Sequence, residues 1–501
     1  MNKLYFGDNL EVLREKIPDN YVDLIYLDPP FQSGKNYNII FAPQTNNVKG
    51  ATAQIQAFED TWQWGEEAEK EYFGLIQGTI TKERPNQKLI ELIKAMRDYL
   101  GESSMMAYLT MMAPRLLEMK RILKETGSIY LHCNPTASHY LKLLMDAIFG
   151  VSNFRNEIVW CYKGPSRAKD DFPHKHDTIL RYSKGEKPYF NPNAIKIPYS
   201  ESFLERRKYV EGKAGIYKGK YVREKEEFEK YGQGKIPEDW WNDIPSGGQI
   251  SRNELIGYPT QKPEKLLNRI IKASSKEGDL VLDPFCGCGT AVAVAQKLNR
   301  NWIGIDITYL AIDIIKKRLE KSDFKEGKDF IIEGAPADEY SAIKLAESNP
   351  FQFQYWAISK ITGGVTNERK TGDEGVDGFI NIIDPSKKNN AGLAIISVKG
   401  TKVVNPSMIR DLTGTIKSKG ADFGILITLV DPTPGMIKEA VSAGYYKLRN
   451  MEIPVIQMIS VKDLFKDPLP LKLPLTNIIP AYKSMKMIKP DEAELEFKEE
   501  E

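Results

Sequence analysis

The clearest hydrophobic signal near the start of the chain is a continuous apolar run, VDLIYL at 22–27. It lacks the in-out alternation of a half-exposed strand and predicts a parallel strand buried on both faces. Around it, short apolar runs trade places with stretches of helical spacing. Strands are expected at 4–7, 128–133 and 157–162, and helices at 9–17, 105–123 and 137–149, with an amphipathic stretch near 89–100. Between about 161 and 257 the rhythm is lost. It resumes at 266, with strands at 280–283 and 302–306 and helices at 291–298 and 309–319. A charged, glycine-containing stretch after Glu320 (KSDFKEGKD) reads as a linker. From 330 to about 474 the alternation returns, with strands near 378–383, 393–398, 423–429 and 453–456 and helices near 351–361, 406–418 and 434–443. Strand and helix alternating in both units predict an α/β class: a mainly parallel sheet, then a second, smaller α/β domain. The residues from about 491 onward are acidic and expected to fray.

Composition narrows the class without naming a function. At roughly 100 to 200 residues per domain, a chain of 501 residues should hold two to four units. With 41% hydrophobic and 28% charged residues, a largely disordered or collagenous chain is excluded. There is no apolar run of about 18 residues and no apolar stretch at the start, so no membrane association and a cytoplasmic location are expected. The four cysteines (Cys133, Cys161, Cys286, Cys288) are too few for a disulfide framework, and with four histidines they show no zinc-ligand spacing. A formal charge of +2 leaves a nucleic-acid partner open, because a basic face can sit on a neutral whole. Residues 201–230 carry nine Lys/Arg, seven Glu and five interleaved aromatics, which suits either a nucleic-acid surface or a solvated helical segment.

Two motifs change the picture. DPFCGCGT, from Asp283 to Thr290 and including Phe285, sits between an apolar strand and an Ala/Val-rich helix. Gly287 and Gly289 allow a tight turn and the close approach of a ligand at the carboxyl edge of a sheet. The next strand ends in Asp306, 17 positions after Gly289, where a carboxylate can accept from both hydroxyls of a ribose. No third glycine completes GxGxxG, and no GK[ST] is present. A cofactor with a ribose but no pyrophosphate fits better. The second motif, Asp28, Pro29, Pro30 and Phe31, follows the strand at 22–27. Its prolines fix φ and remove two backbone donors, leaving a carboxylate, a free carbonyl and a flat ring together. Such a group can receive an exocyclic amine and stack its base. Trp62 and Trp64 could cover DNA, close a pocket or simply pack.

Together these motifs resemble those of the S-adenosylmethionine-dependent amino-group DNA methyltransferases, with DPPF as catalytic motif and DPFCGCGT as cofactor motif. The catalytic motif comes first, which in that family marks the permuted β class. Gly7, Asp8 and Asn9 match its GD-N element beside the cofactor adenine, and GYPTQKP at 257–263 resembles its TQKP element near the methionine end, giving Thr260, Gln261 and Lys262 as cofactor residues. GSIYLHCN and NEIVWCYKG look like its later strand motifs. The resemblance covers roughly residues 1–322. It implies a Rossmann-like methyltransferase with a catalytic part at 1–160, an inserted target-recognition region at 161–256 and a cofactor part at 257–322. It further implies double-stranded DNA as partner, N6 methylation of adenine as reaction and N4 methylation of cytosine as the alternative. A homodimer is compatible with the sequence.

In the second unit, expected at 323–475 ahead of a tail at 476–501, Asp377 precedes one strand and Lys399 ends the next. A carboxylate and a lysine at neighbouring strand ends can hold a divalent metal, here magnesium on Asp377, and position a water for phosphodiester hydrolysis. The segment is similar to the Mrr-like branch of the restriction-endonuclease fold. That family has Glu or Gln two positions before the lysine. Ser397 stands there in this chain, and Gln352 and Gln354 occupy the first helix where a Glu can assist, which should reduce metal affinity.

Overall fold

The computed structural model describes residues 1–30, 63–162, 164, 170–199, 234–246, 249–251, 254–256, 258, 260–367, 375–387 and 390–478. It also gives the backbone of four short strands within 36–59 and 215–222. Phe31, Trp62, and the side chains of the basic and aromatic segment at 201–230 lie outside the described residues.

A nine-stranded sheet organises the first unit. Its strands lie in the order Trp240–Trp241, Phe154–Cys161, His176–Ser183, Leu123–Cys133, Val22–Leu27, Leu280–Asp283, Asn301–Asp306, Asn2–Phe6 and Phe330–Glu333. All neighbours run parallel except His176–Ser183, which is antiparallel to both strands beside it. Val22–Leu27 is central and covered on both sides, as its unbroken apolar run implies. Ile25 and Leu27 face a core with the helices Asn9–Lys16, Ser104–Ile122 and Pro135–Phe149, whereas Leu24 and Tyr26 face the helices Glu264–Ser274, Thr290–Lys297 and Tyr309–Glu320.

The second unit is a five-stranded sheet in the order Gly364–Thr366, Gly378–Ile383, Ala391–Lys399, Phe423–Thr428 and Ile456–Ser460. The first two pairings are antiparallel and the last two parallel. Its helix Pro350–Ser359 buries Phe353 and Trp356 in one continuous core with Ile312 and Ile315 of the first unit. A smaller cluster joins Tyr258 and Cys288, beside the glycine loop, to Val365 and Phe379 of the second sheet.

Four expectations need correction. The supposedly irregular region at 161–256 contributes His176–Ser183 and Trp240–Trp241 to the first sheet. His176–Ser183 escapes pattern reading because it is flanked by irregular chain and buries Ile179 on one face but Leu180 and Tyr182 on the other. The expected boundary at 322/323 falls too early, since Phe330–Glu333 pairs in parallel with Asn2–Tyr5 as the last strand of the first sheet. A helix at Glu339–Ser348, capped by Asp338, precedes the one expected near 351–361. Finally, the strand expected at 453–456 straddles two elements: Met451–Pro454 forms a hairpin with Tyr445–Leu448, and Ile456–Ser460 is the sheet strand.

Candidate active site

Four adjacent parallel strands, Val22–Leu27, Leu280–Asp283, Asn301–Asp306 and Asn2–Phe6, finish at one edge of the first sheet. Each delivers a carboxylate there: Asp28, Asp283, Asp306 and Asp8. With strands about 4.8 Å apart, the four fall within roughly 15 Å. They line a cavity of about 780 Å³, a size suited to a cofactor with part of a substrate. Pro29, Pro30, Thr260, Lys262, Phe285, Gly287 and Thr290 line the same space.

The glycine loop is tied to its neighbouring strand by backbone bonds. The Cys286 N–H donates to the Ile305 carbonyl at 3.0 Å, and the Gly287 N–H donates to Asp306 Oδ2 at 2.9 Å. Asp306 Oδ1 accepts from the Thr308 N–H at 2.9 Å and from its hydroxyl at 2.7 Å. Gly287, with φ +48°, passes so close to Tyr258 that an added Cβ would stand 3.5 Å from the ring. Gly289, expected on the cofactor, is not on the cavity wall. At φ +72° it starts the helix Thr290–Lys297, and a Cβ there would sit 2.6 Å from Ile315. Its freedom serves the packing of loop on helix.

Burial pushes the Asp283 carboxyl well above its usual range against the Phe285 N–H, and the charges of Asp28 and Asp306 add to the rise. Burial also raises Asp306, opposed by the bonds from Thr308 and Gly287. A cationic ligand would relieve this crowding of carboxylates.

Asp8 caps the helix Asn9–Lys16 by accepting from the Leu10 and Glu11 N–H groups. The Asn9 side chain donates to the Pro284 carbonyl at 2.8 Å and so fastens this corner to the glycine loop. Arg115, buried on the apolar helix Ser104–Ile122, donates to Asn9 Oδ1 at 2.7 Å, to Asp8 Oδ2 at 2.8 Å and to Glu71 at 3.0 Å. Sequence reasoning missed it. The available signal was a charge inside the otherwise apolar MMAPRLL.

At the other end, Asp28 Oδ2 accepts from Lys262 Nζ at 2.5 Å, while Asp28 Oδ1 is buried with no hydrogen-bond partner. The residue lines the cavity, and this oxygen is an acceptor still to be matched. Behind it, Tyr26, His132 and Asp177 form a hydrogen-bonded row that sequence reasoning also missed, although His132 lies within GSIYLHCN. Gln261 is not on the cavity wall: its amide donates to the Glu254 carbonyl at 2.8 Å and accepts from the Ile256 N–H at 3.0 Å, holding the preceding loop. Trp64 is a packing residue, lying against Tyr72 and under the Arg97 guanidinium.

In the second unit Asp377 and Ser397 are brought together. Asp377 Oδ2 accepts from the Val398 N–H at 2.6 Å and the Ser397 hydroxyl at 3.2 Å, and Oδ1 from the Gln354 amide at 2.8 Å. Lys399 lies two positions beyond Ser397 on the strand Ala391–Lys399, so the pleat sends both side chains to one face. Gln352 does not join them; it accepts from the Tyr309 N–H of the first unit at 2.7 Å. Both oxygens of Asp377 accept hydrogen bonds from uncharged donors, so its negative charge is retained. Among the described residues no three of His, Cys, Asp and Glu converge on a metal position. Among the same residues no helix is long and apolar enough to cross a membrane.

Comparison with known proteins gives two family matches. The DNA methylase family model matches residues 22–317, and the restriction endonuclease family model matches residues 346–463. The chain is 29% identical over 316 residues to DNA adenine methyltransferase YhdJ of Escherichia coli, a match covering 63% of this chain and 81% of that protein. It is 31% identical over 261 residues to Type II methyltransferase M.EcaI of Enterobacter cloacae, covering 42% of this chain and 57% of that protein. To the Type III restriction-modification enzyme StyLTI Mod subunit of Salmonella typhimurium it is 23% identical over 479 residues, covering 82% and 67%.

Proposed function

The chain belongs to the DNA methylase family, and on that premise we propose that it transfers a methyl group from S-adenosylmethionine to the N6 amine of adenine in double-stranded DNA. The observation carrying this reading is Asp28, which has an unpartnered oxygen and lines the same cavity as the glycine loop and Asp306. The cofactor fits the residues present. Asp306 would take the ribose, Asp8 and Asn9 would border the adenine, and the carboxylate-rich wall suits a ligand carrying a sulfonium and an ammonium. When bound, S-adenosylmethionine supplies an electrophilic methyl group.

An exocyclic amine is a poor nucleophile because its lone pair is delocalised into the base. Asp28 and the Pro29 carbonyl would accept hydrogen bonds from it and direct the lone pair toward the methyl carbon for in-line transfer. Taking the base out of the duplex costs a few kcal/mol, which stacking on Phe31 would partly offset at about 1–3 kcal/mol. Adenine is favoured over cytosine by Asp, rather than Ser, at the head of the tetrad, and the relative YhdJ is named as an adenine enzyme. Target recognition would fall to the chain between His176–Ser183 and Trp240–Trp241. The restriction endonuclease match is in keeping with a role in restriction-modification or defence.

Incubation of the protein with labelled S-adenosylmethionine and unmethylated double-stranded DNA, followed by nucleoside analysis, tests the reading. N6-methyladenine is expected, and N4-methylcytosine alone or no product would overturn it. A second reading, cutting by the C-terminal unit, is favoured by Ser397 and Lys399 sharing a face beside Asp377. Cleavage of unmethylated DNA that disappears in Lys399→Ala would support it, and intact DNA with magnesium or manganese would remove it.

A further inference from the structure

Behind Asp28 lies a buried hydrogen-bond chain that the proposed transfer does not yet use. His132 is wholly buried, with Nε2 3.1 Å from Asp177 Oδ2. Its Nδ1 lies 2.9 Å from the Tyr26 hydroxyl and 3.9 Å from Asp28 Oδ1, the oxygen without a partner. Burial alone would raise the Asp177 carboxyl. The His132 hydrogen bond and charge, helped by Lys262 and the Tyr162 hydroxyl, instead hold it below the usual carboxylate range. Asp177 is therefore an acceptor, and the hydrogen between the two groups sits on Nε2. Burial, with the charges of Asp28, Asp283 and Asp177, pushes the Tyr26 phenol far up, so Tyr26 keeps its proton and donates to Nδ1. The ring also meets the edge of Trp160, 5.7 Å away between centroids. The result is a ring nitrogen backed by a carboxylate through the far side of the ring and standing 3.9 Å from the unpartnered oxygen of Asp28.

We propose that His132 and Asp177 are positioning residues that take up, through Asp28, the proton released when the amine is methylated. This rests on the methyl-transfer reading above. As the nitrogen–carbon bond forms, the carbon–sulfur bond breaks and its electron pair stays on sulfur, leaving positive charge on the amine nitrogen. An N–H bond then breaks with its electron pair kept by nitrogen, and the proton goes to Asp28 Oδ1. Lys262 already occupies Oδ2, so Oδ1 is the oxygen left without a partner to receive it. A shift of about 1 Å and a turn of the Tyr26 hydroxyl bring Oδ1 within hydrogen-bond reach of Nδ1, which takes the proton. Asp177 stabilises the imidazolium through Nε2–H, and the proton passes to solvent once product leaves.

Single-turnover transfer of a tritiated methyl group from S-adenosylmethionine to unmethylated double-stranded DNA, from about pH 5 to about pH 9, tests this with the full chain. The wild type should slow on the acid side, where the groups that must accept the proton are already filled. His132→Asn can still accept from Tyr26 through its amide oxygen but cannot take a proton. It should lose about 10²-fold in rate, and the acid limb with it, while calorimetric affinity for S-adenosylmethionine stays unchanged. Asp177→Asn removes the charge that favours imidazolium, so its limb should move to lower pH. A His132→Asn rate and limb like those of the wild type overturn the proposal, and so does a uniform loss with the limb intact. If His132→Asn does not fold, an unmoved or upward-shifted limb in Asp177→Asn overturns it. A wild type that transfers no methyl group refutes the underlying reading instead, before any variant is compared.

Discussion

Two aspartates at strand ends invite comparison. Asp28 and Asp377 each sit at the margin of an α/β sheet, Asp28 bonded to Lys262 and Asp377 beside the strand that Lys399 ends. Asp28 keeps one buried oxygen unpartnered and faces a cavity of about 780 Å³. Asp377 has both oxygens held, by Gln354, Ser397 and the Val398 N–H. An acceptor left open inside a protein costs stability unless a ligand completes it, whereas a satisfied carboxylate behaves as structure. The difference separates a carboxylate with an acceptor left over from one whose oxygens are matched by their neighbours.

Substitutions can break or sharpen this contrast. The largest effect is expected at Asp28: Asp28→Ala should lower labelled methyl incorporation into DNA by about 10³-fold, while Asp377→Ala leaves it within about twofold. Equal losses would erase the distinction. Asp306→Ala leaves the Gly287 N–H and both Thr308 donors unpaired and removes the expected ribose acceptor. Calorimetry should find S-adenosylmethionine bound about 10²-fold more weakly. Gly289→Ala places a Cβ against Ile315 at positive φ and should cost about 1–3 kcal/mol in denaturant unfolding, with the wall of the cavity itself untouched. The smallest change is expected for Ser397→Glu, which sets a second carboxylate beside Asp377. The variant should melt a few degrees lower in chelator and recover with magnesium, which the wild type should not do.

Much of the first site was legible because its residues follow directly from strand ends. Asp28, Asp283 and Asp306 each close an apolar run, and the tight turn between the last two requires glycine. The remainder is long-range. Arg115 reaches Asp8 from a helix 107 positions away, and His132 meets Tyr26 across 106. No spacing rule links them, because the sheet order brings them together. Gln261 and Gly289, placed at the cofactor by adjacency within a motif, also hold a loop and pack a helix in the folded chain. The irregular reading of 161–256 failed for a similar reason: an antiparallel strand slotted between two others is recognisable by its partners more than by its own pattern.

The small cluster around Tyr258 bears on how the chain can be divided. Tyr258 touches the glycine loop on one side and packs with Val365 and Phe379 of the second sheet on the other. Neither half therefore has a finished exterior of its own where they meet. Cutting the chain between them would leave apolar surface wet on both fragments and strip support from the loop beside the cavity. Heat should accordingly melt the protein in one cooperative step, and a change in how the loop sits would be felt first by Val365 and Phe379 in the neighbouring sheet.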